Sequence, residues 1–234
     1  MNILITRPLI DAEDLMKKFF SLGHKIIHLP TLKISSSKME PINSNDFDAF
    51  IFTSANAIRN LKLNSNNKNL HCFCVGSLTE KIVRQAGFNN TSSAGGTVNA
   101  LKNLIMISEK INKNSKLAYF CGDTISYDLD SELKKEGIKI TKIINYNSEL
   151  IQDLNSENKK LIESYPPNLI YIYSSRSAES FVGIVKNYSL GPLMTQSTVM
   201  CISEKVANIF KAQGWKKIEI FNPGDEMIKL ESLN

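Results

Sequence analysis

The 234-residue chain has no Gly-x-Gly-x-x-Gly following a strand pattern and no phosphate-binding Gly-Lys-Ser/Thr loop. Standard dinucleotide and nucleoside-triphosphate sites are therefore unsupported. It has no Gly-x-Ser-x-Gly, and no histidine stands in a recognised pattern with a nucleophile, which leaves covalent catalysis with little support. No segment approaches the roughly 20 apolar residues of a membrane span. The opening Met-Asn-Ile-Leu-Ile-Thr-Arg-Pro passes into a strand pattern without a signal-peptide layout, so a cytoplasmic location is the expectation. Histidine is scarce: His24, His28 and His71 are scattered and read as surface or sheet-edge residues. Cys72, Cys74, Cys121 and Cys201 all fall in apolar runs without a second Cys or His pair at ligand spacing. They read as buried, reduced thiols, and no metal site is expected.

Charge of one sign is also modest. Lys plus Arg number 28 against 23 Asp plus Glu, a net +5, and the excess is spread along the chain. That argues against a nucleic-acid partner. It suits an anionic small molecule drawn to a cleft, and equally a solvated Lys-rich surface. The hydrophobic fraction of 42% and charged fraction of 22% are those of an ordinary globular protein. The length predicts two domains of about 100–120 residues each.

What is present is alternation of strand and helix. Asn2 to Thr6 reads as a strand, Asp11 as the cap of a helix through Leu22, and Lys25 to Leu29 as a second strand. Ser35-Ser-Ser37 and Asn147-Ser148 read as polar joints. The stretch Asp48 to Ala57 is the most informative: a fully apolar run, Ala49 to Phe52, meets Thr53-Ser54 and then a helix that fades in Asn64 to Lys68. Such a run suits a parallel strand covered on both faces. Ser54 is a good N-cap. Further strands are expected at His71–Val75, Leu117–Cys121, Lys139–Tyr146, Leu169–Tyr173, Val199–Ile202 and Lys217–Phe221, with helices between them, and the class is parallel α/β.

The blocks repeat. Ile3 to Gly23 and Leu117 to Gly137 each span strand, turn, helix and glycine over 20 positions. Phe52-Thr-Ser54 leads to Val75-Gly76 and Gly87, as Tyr173-Ser-Ser175 leads to Ile202-Ser203 and Gly214. An internal duplication follows. Block order alone fits two tandem domains; the polar joints fit one domain inserted in another.

Each strand-to-helix turn offers hydroxyls and free helix N–H groups, the usual means of holding carboxylates or phosphates. The candidates are Arg7; Thr53, Ser54 and Asn56; Gly76, Ser77 and Thr79; Gly122; Ser174, Ser175, Arg176 and Ser177; and Ser203 with Lys205. Capping alone explains any single turn; the set suits a polyanion.

In order and spacing these turns resemble the uroporphyrinogen-III synthase family. The resemblance rests on Thr6-Arg7-Pro8, Phe52-Thr-Ser-Ala-Asn-Ala57, Val75-Gly76-x-x-Thr79, the helix ending at Gly137 with Tyr146 after it, and Ser174-Ser175. It implies two domains, each a parallel sheet flanked by helices, joined by a two-stranded linker near 35–37 and 146–149. Residues 1–34 and 149–234 would form the first domain and 37–146 the second, inserted in the first. The implied activity is cofactor-free cyclisation of hydroxymethylbilane, a linear tetrapyrrole with eight carboxylates, with inversion of ring D and loss of water. It implies a monomer, a transient contact with the preceding pathway enzyme, and Tyr146 near the leaving hydroxyl as proton donor. Two departures stand out: Ser203-Glu-Lys-Val206 replaces the family's Gly-x-x-Thr, and Cys121 precedes Gly122 where an arginine is usual. The second reading is a non-enzymatic hinge protein that closes on an anionic ligand.

Overall fold

The computed structural model describes residues 1–65 and 67–231; Asn66, within the polar stretch expected to end the second helix, lies outside the described residues. In chain order the elements are β1 (Asn2–Ile5), α1 (Leu9–Ser21), β2 (Lys25–His28), β3 (Leu32–Ser36), β4 (Ala49–Phe52), α2 (Ala55–Arg59), β5 (His71–Cys74) and α3 (Ser77–Gln85). Then come β6 (Thr91–Ser93), α4 (Val98–Met106), β7 (Lys116–Gly122), α5 (Leu129–Lys135), β8 (Lys139–Leu150) and α6 (Ser156–Ser164). The last are β9 (Leu169–Ile172), α7 (Ser175–Asn187), α8 (Gly191–Met194), β10 (Thr198–Cys201), α9 (Glu204–Lys211), β11 (Ile218–Ile220) and α10 (Glu226–Glu231).

The chain divides into two compact units, residues 1–33 with 149–234, and residues 34–148. The first unit holds a five-stranded sheet of order β11-β10-β9-β1-β2 and the second a six-stranded sheet of order β3-β8-β7-β4-β5-β6. Every strand pair of the first sheet is parallel. So are β4 with β5 and β7, β5 with β6, and β7 with β8. Both faces of each sheet are covered. In β4, Ala49 and Ile51 join one apolar cluster while Phe50 and Phe52 join another. In β1, Leu4 faces one side and Ile3 and Ile5 the other. This double burial is what a continuous apolar strand needs.

The repeated blocks occupy matching places. Reading β6-β5-β4-β7-β8 beside β11-β10-β9-β1-β2 sets β4 against β9, β5 against β10, and β7 against β1. The second unit runs through this pattern without a break, whereas the first begins it at β1 and completes it from β9 onward. The units are circular permutations of one plan. The tandem order is not the one observed, because β1 pairs with β9.

Several local expectations need correction. Helix α1 starts at Leu9 with Pro8 at the cap, so Asp11 lies in its first turn and not at the cap position. Proline's fixed φ makes it a ready start for a helix. Ser35 and Ser36 belong to β3, and Asn147 and Ser148 to β8, so neither polar run is a loose joint. The pairing supplies the reason: Ser37 N–H donates to the Asn145 carbonyl and the Ser37 hydroxyl to that of Ile144. Helix α4, for which the sequence predicts Val98 to Ile111 behind a Thr97 cap, is capped by Thr97 and stops at Met106. Short β6, α8 and α10 carry too little periodicity to be read in advance.

All four cysteines are buried and free. Burial pushes Cys121 up to about 11 and Cys74 and Cys201 up to about 12, and raises Cys72 further. Since the thiolate is the reactive form, the native protein at pH 8 is expected to resist an aromatic disulfide reagent. All four thiols should titrate once denaturant is added; rapid native labelling would contradict the burial. Among the described residues no helix is long and apolar enough to cross a membrane.

Candidate active site

In an open α/β sheet, ligands bind outside the carboxyl ends of the strands, where the strand order reverses. In the second unit the reversal falls between β4 and β7, with β5 and β8 outside them. Four expected groups of residues therefore stand side by side: Thr53, Ser54 and Asn56 after β4; Gly76 and Ser77 after β5; Gly122 at the end of β7; and Tyr146 in β8.

The turn after β4 is built by Ser54, whose hydroxyl accepts from the Asn56 N–H at 3.1 Å. Thr53 Oγ1 shares a hydrogen bond of 3.2 Å with the phenol of Tyr119, a buried residue of β7. Tyr146 lies opposite Gly122, where the register of β7 and β8 shifts by one residue. That bulge turns the tyrosine ring over the glycine: a β-carbon on Gly122 would stand 2.7 Å from the ring. Asp123 clamps both sides of the tyrosine's backbone, donating its N–H to the Tyr146 carbonyl at 3.0 Å and accepting at Oδ1 from Ser148 N–H at 3.1 Å. Burial raises the Tyr146 phenol above its ordinary value of 10, and a hydrogen bond with Ser54 offsets only part of that. The phenol therefore keeps its proton across the neutral range.

Gly76 caps α3 without a side-chain bond, and the loop of Gly95 and Gly96 lies against it, with Gly96 N–H donating to the Val75 carbonyl at 2.6 Å. Thr79 is not part of this surface: it is buried on the packed face of α3.

In the first unit the strand order reverses between β9 and β1. Arg7 follows β1, the Ser174–Ser177 turn follows β9, and Ser203 with Lys205 follows β10. Ser174 caps α7, accepting from Ser177 N–H at 3.0 Å. The expected correspondence is thus off by one residue, since Ser174 and not Ser175 is the counterpart of Ser54. Ser175 is the first helical residue, half-buried. The Ser177 side chain is buried and accepts from the Ser174 hydroxyl, so it serves the turn itself. Ser203 caps α9 through Val206 N–H, and Lys205 is exposed. Arg176, half-buried, is the second residue of α7.

Sequence reasoning missed Tyr119, Asn145 and Glu226. Asn145, fully buried in β8, donates to the Ala57 carbonyl at 2.6 Å and so ties β8 to α2. Only its place in the apolar run of β7 marked Tyr119, and nothing local hinted at Glu226. A groove of about 340 Å³ lies elsewhere: Asn168, Thr198 and Lys217 line it at the amino ends of the first unit's strands. No expected residue borders it, and α/β chemistry belongs at the other end.

Fold and site define an α/β protein with two parallel sheets covered on both faces, each carrying hydroxyls, backbone amides and a tyrosine or an arginine where its strand order reverses. Residues 13–221 match the family model "Uroporphyrinogen-III synthase HemD", and the chain belongs to that family. The "Porphyrin biosynthesis protein HemD" of Ruminiclostridium josui is 25% identical over 225 residues, which are 90% of this chain and 44% of that protein. The chain thus spans less than half the length of that relative. Uroporphyrinogen-III synthetase from Helicobacter pylori 26695 superposes with a TM-score of 0.66 at 16% identity, covering 100% of this chain and 99% of that one. A mutant uroporphyrinogen III synthase from the extremely thermophilic bacterium Thermus thermophilus gives 0.56 at 13% identity, with 99% and 98% covered. At such identities the likeness establishes the fold.

Proposed function

We propose that this protein is a uroporphyrinogen-III synthase, a lyase that cyclises hydroxymethylbilane with inversion of ring D and loss of water, in tetrapyrrole biosynthesis. The observation that carries the reading is the Tyr146 phenol, held protonated beside Ser54 and over Gly122 where the second sheet's strand order reverses. A linear tetrapyrrole bearing a hydroxymethyl group loses that hydroxyl as water when a proton is donated to it. The resulting azafulvene is attacked by ring D at its substituted carbon, the spiro ring reopens, and closure through the other carbon gives the inverted isomer. No electrons are gained or lost overall, so the reaction is written without a redox cofactor.

The chain's own residues would bind, orient and supply one proton. Tyr146 is the proposed proton donor to the departing hydroxyl. Its raised pKa makes it a weak acid but a dependable O–H donor, and the hydroxyl it meets is a stronger base as the bond breaks. Carboxylates of the substrate are the proposed ligands of Arg7, of the Thr53, Ser54 and Asn56 turn, of the Gly76 and Ser77 turn, of Gly122, of Ser174 to Arg176, and of Ser203 with Lys205. Holding a reactive substrate in one folded shape can account for much of the rate. The proposed domains are residues 1–34 with 149–234, and 37–146, a division supported by the two compact units. A monomer in the cytoplasm, meeting the preceding pathway enzyme only in passing, completes the reading.

The decisive assay couples the protein to hydroxymethylbilane production and separates the product isomers. Type III is expected; only type I would overturn the proposal, and tight binding of an acidic ligand without turnover would favour the hinge-protein reading instead. The two serines of the first unit give a finer test. Ser174→Ala removes a cap and should cost about 1 kcal/mol of stability. Ser175→Ala should raise KM several-fold at nearly unchanged melting temperature. Equal effects of both on melting alone would reduce the turn to helix capping.

A further inference from the structure

We propose that Tyr173, anchored by the Glu226 carboxylate, is a positioning residue that holds the Arg7 guanidinium as the fixed cationic contact for a substrate carboxylate. The proposal rests on the reading of Arg7 as a substrate contact given above.

Arg7 and Tyr173 follow neighbouring strands, β1 and β9, at the reversal point of the first sheet. The guanidinium carbon lies 4.5 Å from the centre of the Tyr173 ring. A cation over a ring face is held by the ring's quadrupole. A stacked guanidinium also keeps its in-plane N–H groups pointing outward, the geometry that grips a carboxylate with two hydrogen bonds. Asp11 Oδ1 forms an ion pair with Arg7 Nη2 at 3.9 Å, beyond direct hydrogen-bonding distance. The backbone below is pinned as well, because His28 Nε2 meets the Arg7 carbonyl at 2.9 Å.

The ring is fixed with unusual care for a residue beside an exposed turn. Its hydroxyl donates to Glu226 Oε1 at 3.0 Å, and Gly224 N–H donates to Oε2 at 2.8 Å. The Tyr171 hydroxyl donates to the Glu226 carbonyl at 3.2 Å. Phe221 meets the Tyr173 ring edge-on at 5.3 Å, and Tyr171 stacks at 6.5 Å. Glu226 is only 6% exposed. Burying a carboxylate is costly and is tolerated when both oxygens have donors, as here. An apolar residue would seal this core at lower cost, but it would not fix the ring's angle. The negative charge behind the ring also makes its outer face more attractive to a cation.

The matching position of the second unit has no equivalent. Ile5 lies opposite Tyr171 as Tyr119 lies opposite Ile51, so Arg7 is the counterpart of Cys121, a buried thiol. The same sheet plan carries a stacked cation in one unit and an uncharged group in the other. A helix cap alone would not require that difference.

The test is a double-mutant cycle on the full chain, with KM and kcat for hydroxymethylbilane and the melting temperature of each variant. Arg7→Ala should raise KM about tenfold, and Tyr173→Leu about fivefold with kcat within about twofold. In the Arg7→Ala background, Tyr173→Leu should add nothing further, since the group it positions is gone. If Tyr173→Leu fails to fold, Glu226→Gln takes its place in the cycle, with a rise of about threefold that also vanishes without Arg7. Losses that multiply across the cycle, or an unmoved KM in a folded variant, overturn the positioning role while leaving the activity intact. A wild type that yields only the type I isomer overturns the activity, and the proposal with it.

Discussion

Gly122→Ala is expected to lower turnover about tenfold or more and to destabilise the protein by about 2 kcal/mol, the scale of overpacking a filled site. In a chain of this size that is about 5 °C of melting temperature. The reason is steric. A β-carbon there would stand 2.7 Å from Cε2 and Cζ of Tyr146 and 3.0 Å from its hydroxyl. The ring has little freedom to withdraw, because its backbone carbonyl accepts from Asp123 and its strand neighbour Asn145 is tied to α2. The added methyl must therefore push the phenol off its place beside Ser54. A second variant separates crowding from every other effect of the substitution: in a Tyr146→Ala background, Gly122→Ala should cost almost nothing in stability. An unchanged melting temperature and turnover in the single variant would show that the ring moves aside freely, and the case for a fixed phenol would fall.

Tyr146→Phe removes the O–H and leaves the ring. It is expected to lower kcat about tenfold, the low end for loss of a general acid, with KM within about twofold. Unchanged kcat would reduce Tyr146 to a packing residue. The pH profile supplies an independent reading. Burial disfavours the phenolate, so the ionisation moves upward from 10. The donor is then present across the neutral range and is lost as pH rises through the elevated value. Any alkaline fall in kcat caused by this group must be centred above pH 10 and must be missing in Tyr146→Phe. A fall centred near pH 8 that survives the substitution belongs to another residue.

Much of this was legible in the residues. The class followed from apolar runs meeting Ser and Thr, and the caps Ser54 and Ser203 fell where small polar side chains ended such runs. The repeat was legible because glycines ending helices, such as Gly23 and Gly137, carry a positive φ that few other residues accept. What escaped was set by pairing across long stretches of chain. Ser35 and Ser36 look like loop residues until β8 supplies partners for their backbone. Ser175 looked like the counterpart of Ser54 because two serines in a row offer two registers, and only the end of β9 at Ile172 selects Ser174. Thr79 and Ser177 were candidates as turn hydroxyls; each lies in the first turn of its helix on the buried side. Tyr173 and Glu226 are 53 residues apart, and no local pattern links them.

The place of β1 sets a timetable for synthesis. That strand lies inside its sheet, between β2 and β9, yet β9 is made more than 160 positions after it. At ribosomal speed the wait is on the order of ten seconds. Meanwhile the contiguous unit of residues 34–148 emerges with all its central strands in hand. The nascent chain thus carries β1 and its fully apolar Ile3, Leu4 and Ile5 unsheltered while the intervening unit has everything it needs to fold. The strand that opens this sheet's plan is among the last to find both its neighbours.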